Sequence, residues 1–165
     1  MDYRLGIKES TPELILNASR KAFEDLIDAT NYIIINAKKW NLDTNKFIIS
    51  GGSAGAITCV TAEYEILNDN IYTKKLPPTF NYAGIISHSG CIMQWANKLT
   101  WKKIPCPMML MHGNEDLTVP FDAVIDQGLL CAGSNYIHNQ LKELNISHYF
   151  HEEDGADHIV ATKPM

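Results

Sequence analysis

Residues 46–58 read Lys46-Phe47-Ile48-Ile49-Ser50-Gly51-Gly52-Ser53-Ala54-Gly55-Ala56-Ile57-Thr58. An apolar run, a glycine-rich turn and a run that opens with small residues follow one another directly. Residues 46–50 (KFIIS) have the composition of a short buried strand bounded by turn residues. Residues 54–67 read as a helix. Between them, Gly51-Gly52-Ser53-Ala54-Gly55 has the form G-x-S-x-G. A serine at a tight strand-to-helix turn is exposed on a strained backbone, and flanking glycines let neighbouring chain approach closely. The N–H of Ala54 then points to where an oxyanion would form, and the helix N-terminus adds partial positive charge there. The competing reading is a glycine-rich turn with an incidental serine. The strand before and the helix after weigh against it.

Upstream, two helix starts overlap. Ser10 with Glu13 fits a capping box, and Thr11 with Pro12 fits an N-cap followed by proline at the first helical position. Phe23, Leu26, Ile27, Thr30, Ile33, Ile34 and Ala37 recur at helical spacing up to about Trp40. Residues 3–7 look like the end of an earlier strand. Downstream, residues 82–87 (YAGIIS) form a second strand. Residues 94–103 are ambiguous, with a short amphipathic helix as one reading. Pro105 and Pro107 bracket a loop into residues 108–112 (MMLMH), a third buried strand. Residues 121–144 read as largely helical, with Gly128 and Gly133 as breaks, and residues 147–151 form a last strand. The alternation predicts an α/β fold, one domain over residues 1–165, with a mostly parallel sheet flanked by helices on both faces. In such sheets functional groups gather at the carboxyl ends of the strands.

Two further stretches stand at predicted strand ends. His112-Gly113-Asn114-Glu115-Asp116-Leu117-Thr118-Val119-Pro120 leaves the third strand. A carboxylate there, Glu115 or Asp116, can hold the far nitrogen of an imidazole and stabilise its protonated form. As a single residue, Asp116 reads equally well as a turn former. Asp154-Gly155-Ala156-Asp157-His158 follows the last strand, and a histidine there can reach back to Ser53. A lone histidine is more often structural. The chain order of serine, carboxylate and histidine is nevertheless the one an α/β-hydrolase uses.

On Tyr3-Arg4-Leu5, Ile49 to Gly55, Met111 to Pro120 and Gly155 to His158, the sequence resembles the esterase/lipase branch of the α/β-hydrolases, close to the bacterial feruloyl-esterase-like and carboxylesterase-like proteins. The likeness runs from Tyr3 to the end. It selects Asp116, through the H-G-x-x-D-x-x-V-P loop, and implies Ser53 as nucleophile, His158 as base and Asp116 as acid. It implies hydrolysis of small-molecule carboxylic esters through an acyl-enzyme, with no cofactor and no metal. Ala54 would supply an oxyanion-hole donor, and Gly52, Ser89, Cys91 and Trp95 are the candidate substrate-site residues, with Met93 beside them. Ser89 reads equally as structural, and Trp95 and Trp101, which sit where relatives carry a cap, read equally as exposed packing. Relatives carry a His-Gly-Gly loop upstream of the Tyr-Arg-Leu strand, and no His-Gly-Gly occurs here. The expectation is an N-terminally truncated hydrolase with weak turnover, paired into a homo-oligomer through an exposed sheet edge.

Composition narrows the alternatives. The net charge of −5 and the lack of a basic stripe argue against nucleic acid. No apolar run nears the roughly 20 residues that span a bilayer. No apolar segment of a signal peptide follows Met1, so the chain as it stands reads as cytoplasmic. Cys59, Cys91, Cys106 and Cys131 form no CxxC pair and no metal spacing. His138, His148 and His151 read as surface or strand residues. Two rivals remain: a peptidase of the prolyl-oligopeptidase type, which needs an additional domain that 165 residues cannot hold, and a catalytically weak or inert α/β module.

Overall fold

A computed structural model describes Arg4 and residues 11–158. The proposed strand over residues 3–7, Ser10 of the capping box and the last seven residues therefore lie outside the description, apart from Arg4. The Arg4 guanidinium meets Glu24 and Asp25, each at 2.9 Å.

Helix α1 (Pro12–Trp40) starts where Thr11 caps it, its hydroxyl accepting from the Leu14 N–H at 3.3 Å, with Pro12 in the first turn. It ends at Asn41, whose left-handed φ of 53° closes the last turn. Its apolar stripe buries Phe23 and Ile27, each contributing roughly 1.5–3 kcal/mol of burial. Strand β1 (Ile48–Gly52) follows, then α2 (Ala54–Leu67), which is buried along most of its length. The chain continues as β2 (Gly84–His88), β3 (Cys91–Trp95), β4 (Met108–Gly113), β5 (Ala123–Asp126), β6 (Leu129–Gly133), α3 (Ser134–Glu143) and β7 (His148–Glu153).

Four strands form a wholly parallel sheet in the order β1-β2-β4-β7. The register alternates its two faces. Ile49 lies beside Ile85 and Ile85 beside Met108, while Ser87 lies beside Leu110 and Leu110 beside Phe150. This face packs into one core with Phe23 and Ile27 of α1, Val60 and Tyr64 of α2, and Ile137 and Leu141 of α3. The opposite face carries Ser50, Ile86, Met109 and Tyr149 in one row, and no described helix covers it: Ile48 is 63% and Tyr149 53% exposed.

The α/β class and the parallel sheet flanked by helices follow the sequence expectation, and α2 has the expected bounds; the described helices all pack on one face of the sheet. Two assignments need correction. Residues 94–103 do not form a helix: Cys91–Trp95 is a strand, and the chain then loops to β4. Residues 121–133 are not helical either, because β5 and β6 form an antiparallel hairpin in a second sheet, ordered β3-β6-β5. Gly128 turns the chain there, with Gln127 at φ 47° and Gly128 at φ 91°. Two successive positive φ values match the twist of a two-residue hairpin. Only Ser134–Glu143 of that stretch is helix.

Candidate active site

Because the sheet is parallel, four strand ends open on the same edge: Ser53 follows β1, Ser89 follows β2, Asp116 follows β4 and His158 follows β7. The elbow at Ser53 is built by crowding. Ser53 holds φ 52° and ψ −122°, and its N–H donates to His88 O at 2.9 Å. For a residue other than glycine such a conformation costs of order 1–3 kcal/mol and persists only when its surroundings impose it. A Cβ on Gly51 would lie 2.3 Å from the Gly55 carbonyl carbon, so strand and helix approach closely only because that position is glycine. Gly55 has open space around its own Cβ position. Ala54 opens α2, so its N–H is among the amides with no partner inside the helix. Gly52 and Ala54 are exposed on either side of the half-buried serine.

Two loops bring the other groups to this serine. His158 Nε2 lies 2.8 Å from Ser53 Oγ, and His158 Nδ1 lies 2.6 Å from Asp116 Oδ2. The Asp116 side chain is fully buried, whereas Glu115 is exposed; burial thus separates the two carboxylates that the sequence left open. Asp116 Oδ1 accepts the N–H groups of Thr118 at 2.8 Å and Val119 at 2.9 Å. Burial alone would raise this carboxyl's pKa. The bonds from His158, Val119 and Thr118 outweigh it, and the group is held below the usual carboxylate range. With Asp116 ionised, His158 Nδ1 carries the proton and Nε2 is free to accept one from the serine. The arrangement can pass a hydroxyl proton to an imidazole whose positive charge is then compensated.

The chain belongs to the BD-FAE family.

Residues 1–100 match that family, a span that includes Ser53 and stops short of Asp116 and His158. Solved structures extend the likeness over the remainder. Esterase PE8 superposes with a TM-score of 0.56 at 21% identity, over 94% of this chain and 61% of its own. The carboxylesterase Cest-2923 from Lactobacillus plantarum WCFS1 gives 0.64 at 16%, over 89% and 60%. The esterase Est2 of the Planctomycetes species Thermogutta terrifontis, in a butyrate-bound form, gives 0.62 at 18%, over 95% and 60%. This BD-FAE chain thus has the α/β-hydrolase esterase fold and spans half to three fifths of the length of the first such structures. No curated protein matches the chain in sequence.

The remaining expected substrate residues divide. Cys91 is buried and, with Ile15, Ile57, Met93, Val119 and Cys131, lines an apolar cleft of about 350 Å³ behind the Asp116 loop. Ser89 is fully buried at a left-handed φ of 54°, its hydroxyl without a partner. Trp95 sits at the far end of β3, paired with Leu129 and half exposed. Trp101 packs edge-on against Tyr64 at 5.1 Å, with its Nε1–H donating to Gln140, and so belongs to the framework. A second cavity of about 520 Å³ lies by Ile66 and Leu67, a helix length of roughly 20 Å from Ser53. His138 and His148 bond each other at 2.7 Å, and His138 stacks on Phe150; His148 and His151 lie on β7, in keeping with the strand reading, and His138 on α3. Among the described residues, no group of three or more His, Cys, Asp or Glu is placed to hold a metal, and no helix is long and apolar enough to cross a membrane.

The sequence reading missed His112. It is fully buried and bonds Asp116 on Oδ2, the same carboxylate oxygen that meets His158. The available signal was its place on the MMLMH strand, in register with Met108 and Leu110 on the covered face.

Proposed function

We propose that this chain is a serine hydrolase acting on carboxylic esters through an acyl-enzyme. The observation that carries the reading is the continuous set of hydrogen bonds from Ser53 Oγ through His158 to Asp116, with distances of 2.8 and 2.6 Å. In this scheme His158 takes the Ser53 proton as the oxygen attacks the ester carbonyl, and Asp116 stabilises the imidazolium that forms. The oxyanion takes the Ala54 N–H at the start of α2. The imidazolium then protonates the leaving alcohol, which departs and leaves the acyl group on Ser53. Water, deprotonated by the same histidine, attacks that acyl group and releases the acid. Small esters suit an exposed elbow flanked by Gly52 and Ala54, and a butyrate-bound neighbour is in keeping with a short acyl group.

Stopped-flow hydrolysis of p-nitrophenyl acetate tests this. A burst of nitrophenol stoichiometric with enzyme, absent in Ser53→Ala, is the expected result. Turnover that survives Ser53→Ala would overturn the assignment. The inert-module reading predicts no burst from the unaltered chain.

A further inference from the structure

The Asp116 carboxylate carries more donors than a serine–histidine–aspartate relay needs. Oδ1 takes two backbone N–H groups, from Thr118 and Val119. Oδ2 faces two imidazoles, His158 Nδ1 at 2.6 Å and His112 Nε2 at 3.0 Å. The His112 ring is fully buried, and its other contacts fix its protonation. Nε2 also lies 3.1 Å from the Val119 carbonyl oxygen. Both neighbours of Nε2, a carboxylate and a carbonyl, can only accept, so Nε2 carries the proton. Nδ1 lies 2.8 Å from Ser134 Oγ, at the first residue of α3. On a neutral ring Nδ1 accepts, and the Ser134 hydroxyl donates to it at 2.8 Å in preference to its other acceptor, the Gly90 carbonyl oxygen at 3.4 Å. Burial opposes the cation here more strongly than the nearby Asp116 charge favours it. Phe121 closes the ring's other side edge-on at 5.7 Å. The titratable groups facing His112 are Asp116 on the loop after β4, His158 from the C-terminal loop and Cys91 of β3, whose thiol is pushed up chiefly by its bond with Cys131 and by burial.

We propose that His112 is a positioning residue for the reaction proposed above: its neutral imidazole, keyed by Ser134, fixes the Asp116 carboxylate and shares its charge, so that His158 stays a base and not a permanent cation. The inference rests on the hydrolase reading for its catalytic consequence, but not for its chemistry. An acceptor bonded by one imidazole alone would present its full charge to that imidazole. A second N–H on the same oxygen spreads the charge and holds the carboxylate in one rotamer. The device spans the described core, because β4 supplies His112, the loop after it Asp116, and α3 the serine that sets the tautomer.

The test uses the whole chain, labelled with ¹⁵N. Long-range ¹H–¹⁵N spectra read the His112 tautomer and the His158 titration without requiring turnover. His112 is expected neutral with its proton on Nε2 throughout the neutral range. His112→Leu replaces the ring with an apolar side chain of similar size. It should raise the His158 titration by about one unit, lower kcat on the order of tenfold to hundredfold with KM unchanged, and move the acid limb of kcat/KM upward. His112→Gln keeps an amide N–H for Asp116 and should restore most of all three. A proton on Nδ1, a charged His112 at neutral pH, or an unmoved His158 titration in a folded His112→Leu chain would overturn the proposal. If His112→Leu fails to fold, the tautomer of the unaltered chain and its loss of definition in Ser134→Ala decide. Failure of the hydrolase reading shows separately, as an unaltered chain that neither turns over nor takes a serine-directed label.

Discussion

Asp116 and Glu63 are both buried carboxyl groups, and their surroundings push them in opposite directions. Asp116 accepts from two backbone N–H groups and two imidazoles, and it is held below the usual carboxylate range although burial works against it. Glu63, fully buried on α2, has one strong donor, the Cys106 N–H on Oε1 at 2.7 Å, and its Oε2 is unpartnered. Burial pushes its pKa up, and the hydrogen bonds from the Cys106 N–H, the Cys106 side chain and the Asn81 side chain do not compensate. Depth alone does not set the charge of a carboxyl; the number of N–H groups aimed at it does. The donors sit where a loop folds back on itself after a strand, as at Thr118 and Val119. A mid-helix position offers none, because its neighbours spend their N–H groups on the helix.

The widest gap between the two groups should appear in catalysis. Asp116→Asn should lower kcat by about 10⁴, because the amide no longer holds His158 in the productive tautomer. Glu63→Gln should leave kcat within about twofold of the unaltered chain, as expected of a group remote from the reacting atoms. Steady-state rates on an activated acetyl ester check both, and a comparable loss from each would erase the distinction.

The pH dependence of stability should separate them next. The folded pKa of Asp116 lies below its unfolded value, so its contribution is present above the ordinary carboxylate range and is lost as pH falls through the folded value. The folded pKa of Glu63 lies above its unfolded value, so its contribution is complete below the ordinary range and fades as pH rises toward the folded value. Thermal melting of Glu63→Gln should therefore gain on the unaltered chain as pH rises from the ordinary carboxyl range, by roughly 2–4 °C at neutral pH. The difference should vanish in acid, and a gap that instead widened in acid would contradict this assignment.

The smallest expected effect carries the same accounting to the sheet edge. Among the described residues β1 pairs on one side only, and Ile48 is exposed on the uncovered face. Unpaired strand edges beside apolar surface invite another chain, so a dimer or larger assembly through this edge is expected. Light scattering should show Ile48→Lys shifting the distribution toward monomer by a few-fold in dissociation constant. A chain that is monomeric at all micromolar concentrations would remove the edge from the picture.

The elbow was legible because its chemistry is local: Gly51, the serine and the small residues of α2 lie within one turn of chain. The β5–β6 hairpin was not. All four residues of β5 are exposed, so the strand lacks the alternation that marks a half-buried one. Its turn is Gln127-Gly128, where the more familiar signal is Asn-Gly, and Gly128 was read as a helix break. β3 was missed because Cys91 and Met93 pack well in a strand without announcing one. His112 was visible only as part of a loop motif. Its partner Ser134 comes 22 residues later, and that pairing exists only once α3 has docked.

The most direct measurement is covalent capture of the nucleophile. A fluorophosphonate should add one label per chain, and digestion followed by mass spectrometry should place it on the peptide that contains Ser53. Labelling should disappear in Ser53→Ala and slow sharply in Asp116→Asn. A label found on Ser89, or one that persists unchanged in Ser53→Ala, would contradict the assignment of Ser53, His158 and Asp116 as the catalytic set.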